Sequence, residues 1–289
     1  MSLPTFISTK NVLFLIIALS FVNQLSAKEK GSVKYIRGEA ATGFNQKLGE
    51  ALWDFGELGS PTIVTSFGYN PDSNEPDNLT KDTPRNTLIA TGADLAFYDA
   101  IGVTPDEKYI NIPLREFPII INDKAERATL KSILETSEEY ENSLSVPAYP
   151  VTLRKWLKVK SLAKVKCRKN GTSTISLYFN GLIPNGIYTV WGIFAIDDDN
   201  DGNFDTVVPK ALGGVPNALI PNKRGRAEFQ RKLNFCPLDA ESGLKVVDIA
   251  YHIDGNVFGA ASDLSTQNFP GLLAAPTHVE FPFNVTKIR

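Results

Sequence analysis

Two cysteines, two histidines and one methionine among 289 residues leave little material for soft-metal chemistry. Neither cysteine has a C-x-x-C neighbour and the histidines have no H-x-x-x-H spacing, which excludes a locally encoded zinc cage. The chain has no G-x-S-x-G elbow, H-E-x-x-H helix, P-loop or dinucleotide-binding glycine pattern. Charge of one sign is also missing. Thirty Lys and Arg face 32 Asp and Glu, a net of −2. That balance excludes a dedicated nucleic-acid binder, which needs a strong basic excess. Long hydrophobic runs are scarce. The longest, VLFLIIALSFV at 12–22, has about 11 residues, and a membrane-spanning helix needs roughly 20.

That short run has a different reading. Lys10 precedes it, and Leu25-Ser26-Ala27 offers small residues where a signal peptidase cuts. Residues 1–27 are therefore expected to be a secretory signal peptide. Lys28 follows the cut, not cysteine, so no lipid anchor is expected. The mature chain is expected to be secreted or periplasmic, without a membrane span. In an oxidising compartment an isolated pair of cysteines favours a disulfide, here Cys167–Cys236. Closing so long a loop is worth roughly 4 kcal/mol in chain-entropy models. The alternative is two buried thiols on facing strands.

The chain divides near residue 147. Residues 28–147 read as a mixed α/β region. Phe44, Leu48, Leu52 and Phe55 recur at helical spacing, although Gly49 weakens that helix. The segments 61–69 and 87–91 have strand-like content, and 70–85 is a loop rich in Pro, Asp and Asn. The apolar stretch 109–122 carries Pro113 and Pro118, which suits a sheet edge. A helix is predicted over 123–144, with Leu130, Ile133, Leu134 and Tyr140 on one face.

Residues 148–289 read as an antiparallel β-sandwich domain. Ala163, Val165 and Cys167 alternate with Lys164, Lys166 and Arg168. Asn170-Gly171 is a hairpin signal, and Ile175, Leu177 and Phe179 resume the alternation. Further strands are predicted at 187–194, 226–235, 245–253 and 277–283. Six short strands separated by turns suit a sandwich. Four motifs then resemble those of a group of uncharacterised exported bacterial proteins: GLIPNGIYTVW at 181–191, ALGGVPN at 211–217, NFCP at 234–237 and YHIDGNVFG at 251–259. The resemblance spans about 150–289. It implies export and a β-rich domain, and carries no activity or catalytic residue with it.

The sharpest chemical motif is DDDNDGNFD at 197–205. Asp197, Asp199, Asp201, Asn203 and Asp205 alternate, and Gly202 allows a sharp turn. Oxygens so spaced can converge on one Ca2+, which takes six to eight of them. An EF-hand would place Glu at position twelve, where this chain has Val208. The expectation is a non-EF calcium loop that stiffens the fold, set against a solvated acidic turn. A second constellation is His252, Asp254 and His278, which could hold a transition metal if their strands pair. The plainer reading is polar residues near strand ends.

Residues 154–169 hold eight cations and no acid: Arg154, Lys155, Lys158, Lys160, Lys164, Lys166, Arg168 and Lys169. They suit either an edge strand protected from aggregation or a stripe that attracts an acidic polysaccharide. Trp191 sits mid-strand and reads as core. Asn78, Asn170 and Asn284 match the N-glycosylation pattern, but Asn170 is better explained by its hairpin. Paired carboxylates of glycosidase type depend on the fold alone. The expectation is an exported, non-catalytic binding or structural module, stabilised by calcium and one disulfide. A His/Asp metalloenzyme and a polyanion binder are the alternatives.

Overall fold

A computed structural model describes residues 32–59, 67–70, 72, 77–90, 150–199, 206–252 and 277–288. The signal segment 1–27, the apolar stretch 109–122 and the helix predicted over 123–144 lie outside them. In chain order the N-terminal strands are β1 (Val33–Ala41), β2 (Gln46–Lys47), β3 (Glu50–Ala51), β4 (Trp53–Asp54), β5 (Phe67–Gly68), β6 (Asp77–Asn78) and β7 (Ile89–Ala90). A single-turn helix, α1 (Leu153–Trp156), follows, capped by Thr152 Oγ1, which accepts from Lys155 N. Then come β8 (Lys160–Cys167), β9 (Ser173–Asn180), β10 (Ile187–Ile196), β11 (Thr206–Ala211), β12 (Ala218–Leu219), β13 (Arg226–Leu233), β14 (Leu244–His252), β15 (His278–Pro282) and β16 (Thr286–Lys287).

The protein is mainly β, and its centre is one large antiparallel sheet ordered β11-β10-β14-β15-β1-β8-β9-β13, with β12 alongside β10. The hairpin expected at Asn170-Gly171 joins β8 to β9, with Cys167 opposite Ser173. Gly171 adopts φ 81°, and Asn170 Oδ1 accepts from Thr172 N. β1 comes from the stretch expected to form a separate mixed region, yet it lies between β15 and β8. The basic strand β8 is therefore interior, with β1 on one side and β9 on the other. This corrects its reading as an edge strand: both rows of its backbone groups are already paired.

The sheet curls around its apolar side. Ala163, Val165, Ile175, Leu177, Phe229 and Leu233 from one half share a core with Tyr188, Val190, Val247, Ile249, Val279 and Phe281 from the other. Each alternate residue along these strands points inward, as the two-residue period dictates. Full burial of such a side chain contributes roughly 1.5–3 kcal/mol. Phe179 and Phe281 meet edge to face at 5.9 Å between centroids. Gly38 on β1 is required where the curl is tight, because a Cβ there would press on Ser161 and the Phe281 ring. The two ends of the sheet approach each other: Arg231 on β13 donates to the carbonyl of Pro216, just before β12.

Residues 42–59 form a strap across the outer face of β10, β14, β15 and β1. They are not the helix that the spacing of Phe44, Leu48, Leu52 and Phe55 predicts. Asn45 and Leu48 have φ of 53° and 56°, and Gly49 has 82°, values a right-handed helix does not admit. The strap instead folds into the β2–β3 hairpin. Phe44, Leu52, Trp53 and Phe55 pack on Ala41, Trp191, Ile193, Val246 and Ala250, while Leu48 turns to the other core. β16 pairs with β4 at the end of the strap.

Cys167 and Cys236 form a disulfide with Cα atoms 5.4 Å apart, tying the end of β8 to the segment after β13 across 69 residues of sequence. The Cys167→Ala/Cys236→Ala double variant is expected to lose up to about 4 kcal/mol of unfolding free energy. Denaturant titration of oxidised wild type against the variant measures it, and no loss would show that the sheet alone restrains this loop.

Candidate functional site

Under the strap lies a row of acids that period-two alternation places on one face. Asp248 on β14 is directly opposite Glu280 on β15, and Glu280 is directly opposite Glu39 on β1. Like charges so placed repel, and burial raises the penalty. Glu280 is completely buried, and Asp248 nearly so at 4% exposure. Each acid has its own answer. His278 Nδ1 lies 3.0 Å from both oxygens of Asp248. Lys47 and Lys287 donate to Glu39 at 2.9 and 2.7 Å. Glu280 accepts from Asn45 N and Trp53 Nε1, both at 2.5 Å.

The donors to Glu280 both come from the strap, so the carboxyl fastens that segment to the sheet. Asn45 completes the fastening. Its side chain donates to the Trp53 carbonyl and accepts from Trp53 N, and its own carbonyl accepts from Leu52 N. Phe44 closes over His278, edge-on at 6.4 Å. Burial, reinforced by the Asp248 charge, pushes the Glu280 carboxyl up to about 8, against the opposing effects of His278, Asn45 and Trp53. Glu39 is different. Burial would raise it, but Lys287 and Lys47 together hold it below its ordinary value.

Sequence reasoning placed Asp248 near His252 without giving it a role, and it missed Glu280, Asn45 and Trp53 as partners. The available signal was a lone acid inside each apolar strand, KVVDIAYHI and HVEFPF. The strands bearing His252 and His278 do pair, with His278 opposite Ala250. Asp254 lies outside the described residues, and Asp248 occupies His278 Nδ1. Among the described residues no three His, Cys, Asp or Glu side chains form a metal cage. Of the calcium motif, Asp197 and Asp199 are described, and Asp201, Asn203 and Asp205 lie outside. The ends of that loop are fixed in register, since Ile196 on β10 pairs with Thr206 on β11.

A second site faces solvent. The outward residues of β1, β8, β9 and β13 carry Arg37, Lys160, Lys164, Lys166, Arg226 and Lys232 against two acids, Glu228 and the Glu39 already paired with Lys47 and Lys287. Two tyrosines stand among them, Tyr35 at 59% and Tyr178 at 39% exposure. The Lys164 ammonium lies 5.9 Å from the Tyr35 centroid. A groove of about 590 Å³ opens at one end, lined by Arg37, Lys160, Leu162, Tyr178 and Asn180. Ser161 also borders it through its backbone side, while Ser161 Oγ is buried on the core side against Gly38 and has no hydrogen-bond partner among the described residues.

No helix among the described residues is long and apolar enough to cross a membrane. No protein-family model matches this chain, and no curated protein matches it.

Glu280 gives a signed prediction. Its ordinary carboxyl value is 4.5 and its folded value about 8, so the folded state holds this proton more tightly. Its contribution to stability is full below pH 4.5 and is lost as pH rises through 8. Glu280→Gln removes the titration and one acceptor. The variant is expected to be less stable than wild type at pH 5 and to close or reverse that gap at pH 9. Melting temperatures across that range check it, and parallel profiles for the two proteins would refute it.

Proposed function

We propose that this protein is an exported, non-catalytic module that binds acidic polysaccharide on the outer face of β1, β8, β9 and β13. The supporting observation is the composition of that face: six cations and two exposed tyrosines against two acids, one of which, Glu39, is neutralised by Lys47 and Lys287. Cations attract the carboxylate or sulfate groups of the chain, and tyrosine rings offer flat apolar surface to sugar rings. Because β8 is interior to the sheet, protection of an edge no longer accounts for its lysines. The disulfide fits maturation where thiols oxidise.

Binding of this kind weakens with salt, because exposed charges are screened over about 10 Å at 0.1 M. Retention on dextran sulfate and on polygalacturonate is expected to fall steeply as salt rises. Removing three cations of this face with Arg37→Ala, Lys160→Ala and Lys164→Ala, at roughly 0.5 kcal/mol each, is expected to weaken affinity about tenfold. Tyr178→Ala should lower affinity with little change in the salt slope. Wild-type retention by the triple variant would defeat the proposal.

Calcium has a structural part in the same proposal. The 197–205 loop joins the paired strands β10 and β11, so an ion there would bridge a hairpin whose ends are already positioned. Millimolar calcium is expected to raise the melting temperature of wild type and not that of Asp199→Ala/Asp201→Ala. Equal behaviour of the two proteins would leave the loop a solvated turn.

A further inference from the structure

A second groove, of about 530 Å³, lies between the strap and α1, lined by Lys47, Leu48, Arg85, Arg154, Leu157 and Lys158. Its construction is local and specific. Residues 85–89 run against 151–154: Arg154 N donates to Arg85 O, Leu153 N to Thr87 O, and Ile89 N to Val151 O. This pairing sets Arg85 and Arg154 side by side on the rim. Lys158, two residues past the end of α1, supplies a third charge. Lys47 is already committed to Glu39. Arg85, Arg154 and Lys158 have no carboxylate partner among the described residues.

Three cations gathered without an acid repel one another, and the fold brings two of them together through their backbones. An anion would relieve that repulsion. Arginine pairs match the bidentate geometry of phosphate oxygens. A triple positive charge fits a phosphomonoester, which carries close to two negative charges near neutrality, better than a single carboxylate. The floor is apolar. Leu48 and Leu157 sit half-buried against the core below the rim. Leu48 holds this place at φ 56°, a conformation rare for a bulky residue and found where surroundings impose it.

We propose that this groove binds a phosphomonoester with a short apolar body, the phosphate on Arg85, Arg154 and Lys158 and the body against Leu48 and Leu157. The site is separate from the polysaccharide face, and none of that face's cations lines it. The same chemistry could come from a soluble alkyl phosphate or from the exposed phosphate of a membrane lipid.

Titration calorimetry with hexyl phosphate, inorganic phosphate and hexanoate tests it. Hexyl phosphate is expected to bind at least tenfold more tightly than either of the others. Arg85→Ala/Arg154→Ala should weaken it by tenfold or more. Leu48→Asn tolerates the left-handed backbone and should erase the preference for hexyl phosphate over inorganic phosphate. Lys164→Ala/Lys166→Ala, which alters the outer sheet face and not this groove, should leave the affinity for hexyl phosphate as it is in wild type. Vesicles containing phosphatidate distinguish the sources: Arg85- and Arg154-dependent sedimentation points to a lipid, and binding of hexyl phosphate alone to a soluble ester. Equal affinity for hexyl and inorganic phosphate, or unchanged binding by the arginine variant, would overturn the proposal. Melting temperatures confirm that each variant is folded, and either substitution alone suffices for the decision.

Discussion

A carboxyl group without water holds this structure's outer layer in place. Glu280 is completely buried and accepts two short hydrogen bonds from the strap, one from the Asn45 backbone and one from the Trp53 indole. Removing an acid from water is expensive, and only such donors or a retained proton offset it. Aspartate directly across the sheet makes the problem worse. His278 answers Asp248, two lysines answer Glu39, and the strap answers Glu280. The polar row and its partners are therefore one network, and loss of a single donor would leave an acid exposed to its neighbours' charge.

The strap matters beyond its own contacts. By covering the outer face of β10, β14, β15 and β1, it completes a second apolar cluster around Trp53 and Trp191. Its hairpin then projects Lys47 and Leu48 toward α1, where they form one wall of the cationic groove. The same segment thus seals the acids and shapes a surface. The other half of the sheet has no such cover among the described residues. Its outer side keeps its lysines, arginines and tyrosines in solvent, and the polysaccharide proposal rests there. The strap thus separates the sheet's outer side into a covered half and an open one.

The C-terminal strands were legible because local signals agreed. Asn170-Gly171 favours a tight turn, and flanking alternation sets which residues face the core, so β8 and β9 pair as the residues imply. The disulfide was legible from count alone, since two cysteines allow one bridge. The strap was not. Phe44, Leu48, Leu52 and Phe55 mimic a helical repeat, but they divide between two cores on opposite sides of a hairpin. Left-handed backbone at Asn45 and Leu48 makes this possible, and spacing does not encode it.

Sequence by itself determined the strand-rich character, the inward and outward residues of the C-terminal strands, and the identity of the bridged cysteines. All of these follow from neighbours along the chain or from simple counting. Tertiary structure decided that β1 belongs between β15 and β8, that three acids share one row, and that Arg85 meets Arg154. These are encounters between residues far apart in sequence. Their cost or benefit exists only once the sheet has curled, because burial and cross-strand distance set the electrostatics.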